Sequence, residues 1–219
     1  DGAGVNRKPG GTVRYFCVAQ ALNKGANTYD VHPPRDNRNT GGHAIAIPEK
    51  IGVIGPFRYV ELENCPVELT AAMVRQVAVH YPFDDSASAF ECSDGVLSGV
   101  WSLCKYTMKA TSFAGVFVDG DRERIPYEAD AYINQLGYYA VDRDYSIARY
   151  THEYLLSHPT WPTEWKQHSV LMAWADYMYT GNTESPAGCY DMLKAEKTLE
   201  HLARASDGLL NTEGLRDIV

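Results

Sequence analysis

Apolar and polar residues alternate with the strand period at the start of the chain. Residues 12–21 place Val13, Tyr15, Cys17 and Ala19 on one face and Arg14, Phe16, Val18 and Gln20 on the other, which predicts a strand. Residues 43–47, 57–63 and 74–81 follow with β-branched and aromatic side chains, separated by turn residues at Pro48, Gly52, Gly55, Pro56 and Pro66. Between them, residues 23–42 are rich in Asn, Pro, Gly and Arg without periodicity and read as a long surface loop. The expectation for residues 1–85 is the C-terminal part of an antiparallel β-sandwich.

The period changes between residues 82 and 93. Ser93 and Asp94 are a plausible helix start, and Val96, Leu97, Val100, Trp101, Cys104 and Met108 recur at three- and four-residue steps. After an irregular stretch, 111–126, come helical patterns over 127–140, 143–157, 163–179 and 187–205, joined by short Pro-, Gly- or Asp-bearing links. Short links favour antiparallel hairpins, and hairpins in series predict a helical bundle or toroid. The fold class expected is therefore mainly α, over residues 86–219, preceded by β-sandwich strands.

Composition narrows the function classes. The 219 residues carry 28 acidic and 20 basic side chains, a net charge of −8, and no basic run offers a landing surface for phosphate, so nucleic acid is not expected as a partner. No stretch approaches the roughly 20 apolar residues that span a bilayer, so no membrane partner is expected either. Cys17, Cys65, Cys92, Cys104 and Cys189 cannot all pair and lack Cys-x-x-Cys spacing; they are expected as mostly buried thiols. The start lacks a signal segment and an initiator Met, and the chain reads as a piece cut from a longer one.

Chemistry concentrates in one window. Residues 119–130, Asp-Gly-Asp-Arg-Glu-Arg-Ile-Pro-Tyr-Glu-Ala-Asp, pack five carboxylates and two guanidinium groups into the irregular lead to a helix. An acid catalyst needs a carboxyl kept protonated, which neighbouring carboxylates or burial achieve, while other carboxylates grip sugar hydroxyls. Charge runs of this kind are more often solvated turns with local ion pairs. A second cluster, Pro159 to Trp165, sets Trp161 and Trp165 around Glu164. Flat indoles beside carboxylates suit the apolar faces and hydroxyl rim of a pyranose, although a tryptophan at a helix entry is equally explained as a staple into the core. Glu128 and Glu164 are further carboxylates, open to sugar binding or structural pairing. His152, His158 and His168 lack the i, i+4 step of a helical metal pair and are expected at the surface or at caps, so no metal is expected. Gly-x-Ser-x-Gly and a Gly-rich phosphate loop are absent.

At this point the residues resemble a known family. Phe117-Val118-Asp119-Gly120-Asp121-Arg122-Glu123-Arg124, the helix start Glu128-Ala129-Asp130-Ala131, the Pro159 to Trp165 loop and the segment Leu171 to Asn182 are similar to the catalytic region of the bacterial α-L-rhamnosidases, glycoside hydrolase family 78. The upstream Gly55 to Leu62 and Ala89 to Ser93 resemble that family's last β strands and its entry to the first helix. The resemblance implies an (α/α)6 toroid, a six-hairpin glycosidase that removes terminal L-rhamnose with inversion and without a cofactor. It implies Glu123 as the general acid, Asp119 and Asp130 as ligands of sugar hydroxyls, Arg122 in the same subsite, and Trp161 or Trp165 as its apolar wall. Either Asp119 or Asp121 takes the leading role. Inversion needs a second carboxylate, roughly 6.5 to 9.5 Å from the acid, to activate water. No residue here resembles the family's, so the chain is expected to be a fragment that is inactive alone, with a rhamnose-containing carbohydrate as its partner. Two other classes remain open: a noncatalytic carbohydrate-binding remnant, and another sugar-active toroid of the trehalase or epimerase type. The family occurs in periplasmic, secreted and cytoplasmic settings.

Overall fold

The structure, a computed structural model, describes residues 15–218. Its regular part is helical. The helices are α1 (Gly95–Thr111), α2 (Glu128–Val141), α3 (Ser146–Ser157), α4 (His168–Thr180) and α5 (Glu184–Met192), the last running on into a single π turn, Leu193–Lys197. Asp94 caps α1 as its position predicts: its carboxylate accepts from the backbone N–H of Val96 at 2.8 Å and of Leu97 at 3.4 Å. The predicted α3 and α4 begin a few residues late, because Asp144 caps Ser146 and residues Glu164–Gln167 form a tight 3₁₀ turn before α4. The predicted 187–205 helix begins earlier, at Glu184, with Pro186 tolerated in its first turn, and it breaks up after Lys197.

The expected β-sandwich over residues 1–85 is corrected by the structure. No strand occurs among the described residues; 43–47, 57–63 and 74–81 run without a ladder, and the segment's regular pieces are two 3₁₀ turns, Glu49–Ile51 and Ala71–Met73. The predicted strand at 12–21 lies partly outside the described residues. Alternation specifies which side chains would share a face, but a strand exists only when a second one supplies hydrogen bonds. Here the alternating apolar positions find no covering layer: Tyr59, Val60 and Val77 are exposed, the last by 81%.

Helix α2 lies against α1, α3 and α4, and the core forms where they meet. Phe117, from the apolar run ahead of the acidic window, is buried against the Tyr138 ring at 5.5 Å, and Phe83 meets the same ring edge-on at 5.7 Å. Gly137 lets α1 approach: a Cβ there would stand 2.9 Å from Met108 Sδ. The packed face of α1 is Trp101, Lys105 and Met108, with Lys105 Nζ donating to the carbonyls of Asp85 and Ser88 at 2.6 and 2.8 Å. Val96, Leu97, Val100 and Cys104, expected inside, face outward. The expected burial of the thiols is also corrected: Cys17, Cys65 and Cys104 are exposed, and Cys92 and Cys189 are half-buried.

A polar seam crosses this core. Tyr139 donates to Asp176 Oδ1 at 3.1 Å, Arg149 grips both oxygens of Asp176 at 2.9 and 3.1 Å, and Gln135 Nε2 donates to the Tyr139 hydroxyl and the Met172 carbonyl. His158 and His168 sit at helix ends as expected, but His152 is buried in the core. Burial pushes the His152 imidazole down to about 4, with Asp176 opposing and Lys197 reinforcing the shift. The folded state therefore holds His152 neutral while the unfolded chain, with an ordinary imidazole, takes up a proton first as pH falls. Stability should be level above about pH 6.5 and decline toward pH 4, by about 3 kcal/mol for a shift of this size. Urea midpoints at pH 7 and pH 4.5 check this: His152→Phe should lose that part of the acid sensitivity, and an equal slope in variant and wild type would refute it.

Candidate functional site

The acidic window is a closed loop between the buried run Val116 to Val118 and the N-terminus of α2. The Asp119 N–H donates to the Ile125 carbonyl at 3.0 Å, the Ile125 N–H returns to Asp119 Oδ1 at 3.2 Å, and Arg124 N–H reaches the Gly120 carbonyl at 3.1 Å. The turn needs glycine at 120, where φ is 137°. Arg124 also lies in the left-handed region, with φ 57°, which a bulky residue adopts only when its surroundings hold it there.

Arg124 is held on several sides. Its guanidinium is buried, pairs with Asp121 at 2.6 Å, donates to the Ile54 carbonyl at 2.8 Å and lies over the Phe113 ring. Its carbonyl accepts from Ile45 N–H at 2.8 Å, and Asn39 Nδ2 donates to the Asp121 carbonyl at 2.7 Å. Residues 39–54 thus strap the outside of the loop. Nothing in the local pattern marks Asn39 or Ile54 for this task, since their partners lie 82 and 70 residues away.

While Arg124 and Asp121 pair with each other, Asp119 lies near enough to Glu123 and Asp130 to sense both charges. Arg122 Nη2 forms an ion pair with Glu123 Oε1, and the Tyr127 hydroxyl donates to Glu123 Oε2 at 3.3 Å. Partial burial pushes the Asp119 carboxyl up, the Ile125 N–H draws it back, and the charges of Glu123 and Asp130 add to the rise. Burial pushes Asp130 up as well.

The indole loop joins from α4. Trp165, in the 3₁₀ turn, meets the Tyr127 ring edge-on with centroids 5.7 Å apart, which brings one predicted indole to the carboxylates. Trp161 stands 57% exposed on the same loop, beside the fully buried Pro162, and makes no ring contact with the cluster. Glu128 resolves as a structural group. It is wholly buried and accepts from both the N–H, at 3.0 Å, and the hydroxyl of Thr160, pinning the loop to the first turn of α2. Lys197, buried in the π turn, has its ammonium pushed down by that burial and held up by the charge of Glu128. Tyr127 lies within the window 119–130, and its only sequence signal is its place between an acid and the indole loop. Among the described residues no group of three or more His, Cys, Asp or Glu is placed to hold a metal ion.

Residues 85–217 match the bacterial alpha-L-rhamnosidase 6 hairpin glycosidase domain. The chain belongs to this family. The match covers the helices, the acidic loop and the indole loop together, so the carboxylate cluster lies in a glycoside hydrolase domain, and its expected substrate is a carbohydrate. No curated protein and no solved structure matches the chain. Among the described residues no helix of this glycosidase domain is long and apolar enough to cross a membrane.

Proposed function

We propose that the domain, from about residue 86, forms the acid side of an inverting exo-α-L-rhamnosidase site. Glu123 is the general acid that protonates the glycosidic oxygen. Asp119 and Asp130 accept from the sugar hydroxyls, Arg122 steadies the same subsite, Trp165 is the apolar wall, and Trp161 extends that wall outward. Asp119 takes the leading role over Asp121, because the Asp121 carboxylate is occupied by the Arg124 guanidinium at 2.6 Å while the partly buried Asp119 accepts from the Ile125 backbone N–H. The observation that carries the reading is the gathering of Glu123, Asp119 and Asp130 beside Trp165 within a glycosidase domain. Acid catalysis by one carboxyl, with others gripping hydroxyls, is what cleavage of a neutral sugar requires.

The reading assigns the water-activating carboxylate to hairpins outside these 219 residues. Turnover is therefore tested on the complete gene product, with a panel of aryl glycosides and NMR of the first-formed sugar. The α-L-rhamnoside should be cleaved at least about tenfold faster than the other sugars, a discrimination within reach of a shaped pocket, and should release β-L-rhamnose first. Faster cleavage of another glycoside would overturn the sugar assignment, and a first-formed α-anomer would overturn inversion.

A further inference from the structure

Tyr127 touches the acid but has no part in the reaction as proposed so far. It occupies the N-cap position of α2, its carbonyl accepts from Ala131 N–H at 2.8 Å, and its hydroxyl donates to Glu123 Oε2 at 3.3 Å. The other oxygen, Oε1, is paired with Arg122. These two donors differ in kind. The Arg122 side chain is 67% exposed and adjacent in sequence, so its pairing is a screened surface contact worth less than about 1 kcal/mol. The Tyr127 side chain is half-buried, its backbone is set by the start of the helix, and its ring is braced against Trp165. Burial and the Glu123 carboxylate push the Tyr127 phenol up, so the hydroxyl keeps its proton and remains a donor at neutral pH.

A carboxylic acid carries its proton on one oxygen, and the oxygen that accepts a hydrogen bond from a protonated phenol is the other one. We propose that Tyr127 is a positioning residue for the general acid: by donating to Oε2 it directs the acidic proton to Glu123 Oε1 and turns that oxygen to the glycosidic bond. This rests on the proposed function and deepens one part of it. The exposed Arg122 swings off Oε1 as substrate enters. The bond from C1 to the glycosidic oxygen breaks, its electron pair stays with the aglycone oxygen, and that oxygen takes the proton from Oε1. Water supplies the hydroxyl to C1 and gives its proton to the second carboxylate. Glu123 is left ionised, so the Tyr127 hydrogen bond strengthens as the charge develops and stabilises the transition state more than the ground state.

Tyr127→Phe in the complete gene product removes the hydroxyl and keeps the ring against Trp165. Leaving-group strength then separates positioning of the acid from a general structural role, because an alkoxide needs the proton and 2,4-dinitrophenolate does not. On methyl α-L-rhamnoside kcat should fall about 10- to 30-fold, in line with a hydrogen bond to a charged group. KM should change less than about twofold, and kcat on 2,4-dinitrophenyl α-L-rhamnoside should also stay within about twofold, since neither depends on the acid. Melting of the variant within a few degrees of wild type checks the fold. Equal losses on the two substrates, an unchanged kcat on the methyl glycoside, or a change confined to KM would overturn the role of Tyr127. Glu123→Gln in the same assay should show the same split more strongly; if it does not, the acid assignment fails instead. A wild-type protein that cleaves no rhamnoside overturns both.

Discussion

Replacing Glu123 by Gln should lower kcat on unactivated α-L-rhamnosides by about three orders of magnitude, with KM nearly unchanged. The carboxamide fills the same space and still accepts from Tyr127, so the cluster keeps its shape. What it lacks is a proton to give. General acid catalysis contributes about 10²- to 10⁴-fold, and an interaction made only in the transition state appears in kcat and kcat/KM equally. Asp119→Asn and Asp130→Asn should behave differently. In the proposed roles each aspartate is an acceptor that grips a hydroxyl in both ground and transition states, so KM should rise along with a smaller fall in kcat. Steady-state kinetics of the three variants, in the complete gene product, distinguishes the roles. A Glu123→Gln enzyme with near wild-type kcat on methyl α-L-rhamnoside would remove Glu123 from the acid role, and an Asp119→Asn variant with unchanged kinetics would return the leading role to Asp121.

The proposed roles rest on contacts that a local pattern does not contain. The helices were legible where a local signal was strong: Asp94 before an apolar face marks the start of α1, and the pattern over 127–140 lies within one residue of α2 at each end. The window 119–130 drew the proposed chemistry because charge at that density in a loop stands out. The choice between Asp119 and Asp121 was not legible, since it turns on Arg124, whose guanidinium is fixed by Ile54 and whose backbone is fixed by Ile45. The strand pattern in the first third misled for a related reason. Period-two alternation records which residues would face a layer, and Tyr59, Val60 and Val77 have no layer to face here. Lys105, polar and mid-helix, proved to be on the packed side of α1, because its ammonium satisfies two carbonyls of the preceding segment. A binary pattern assigns such a residue outward.

The strongest effect on stability should come from Glu128→Ala, at about 3 to 5 kcal/mol, the usual cost of removing one partner from a buried charged network. Glu128 has no solvent-exposed surface, so its deletion leaves the N–H and hydroxyl of Thr160 without their acceptor and takes from the buried Lys197 a charge that supports its ammonium. Glu128→Gln should cost less, because the amide oxygen still accepts from Thr160 while only the charge is lost. Lys197→Met alone should be milder than either, since Glu128 retains its two donors and the methionine fills the cavity with apolar volume. The double variant Glu128→Gln with Lys197→Met should then be more stable than the sum of the single changes predicts, because the buried ammonium that made the first change costly has gone. Urea denaturation of the four proteins measures this coupling. Additive effects, or a Glu128→Ala cost below about 1 kcal/mol, would show that Lys197 does not depend on Glu128. The same set reads out function. Thr160 anchors the loop that carries Trp161 and Trp165, so Glu128→Ala should raise KM for α-L-rhamnosides while the double variant, with its amide still holding Thr160, should not. A buried carboxylate behind the site would in that case govern the sugar's apolar wall without touching the sugar.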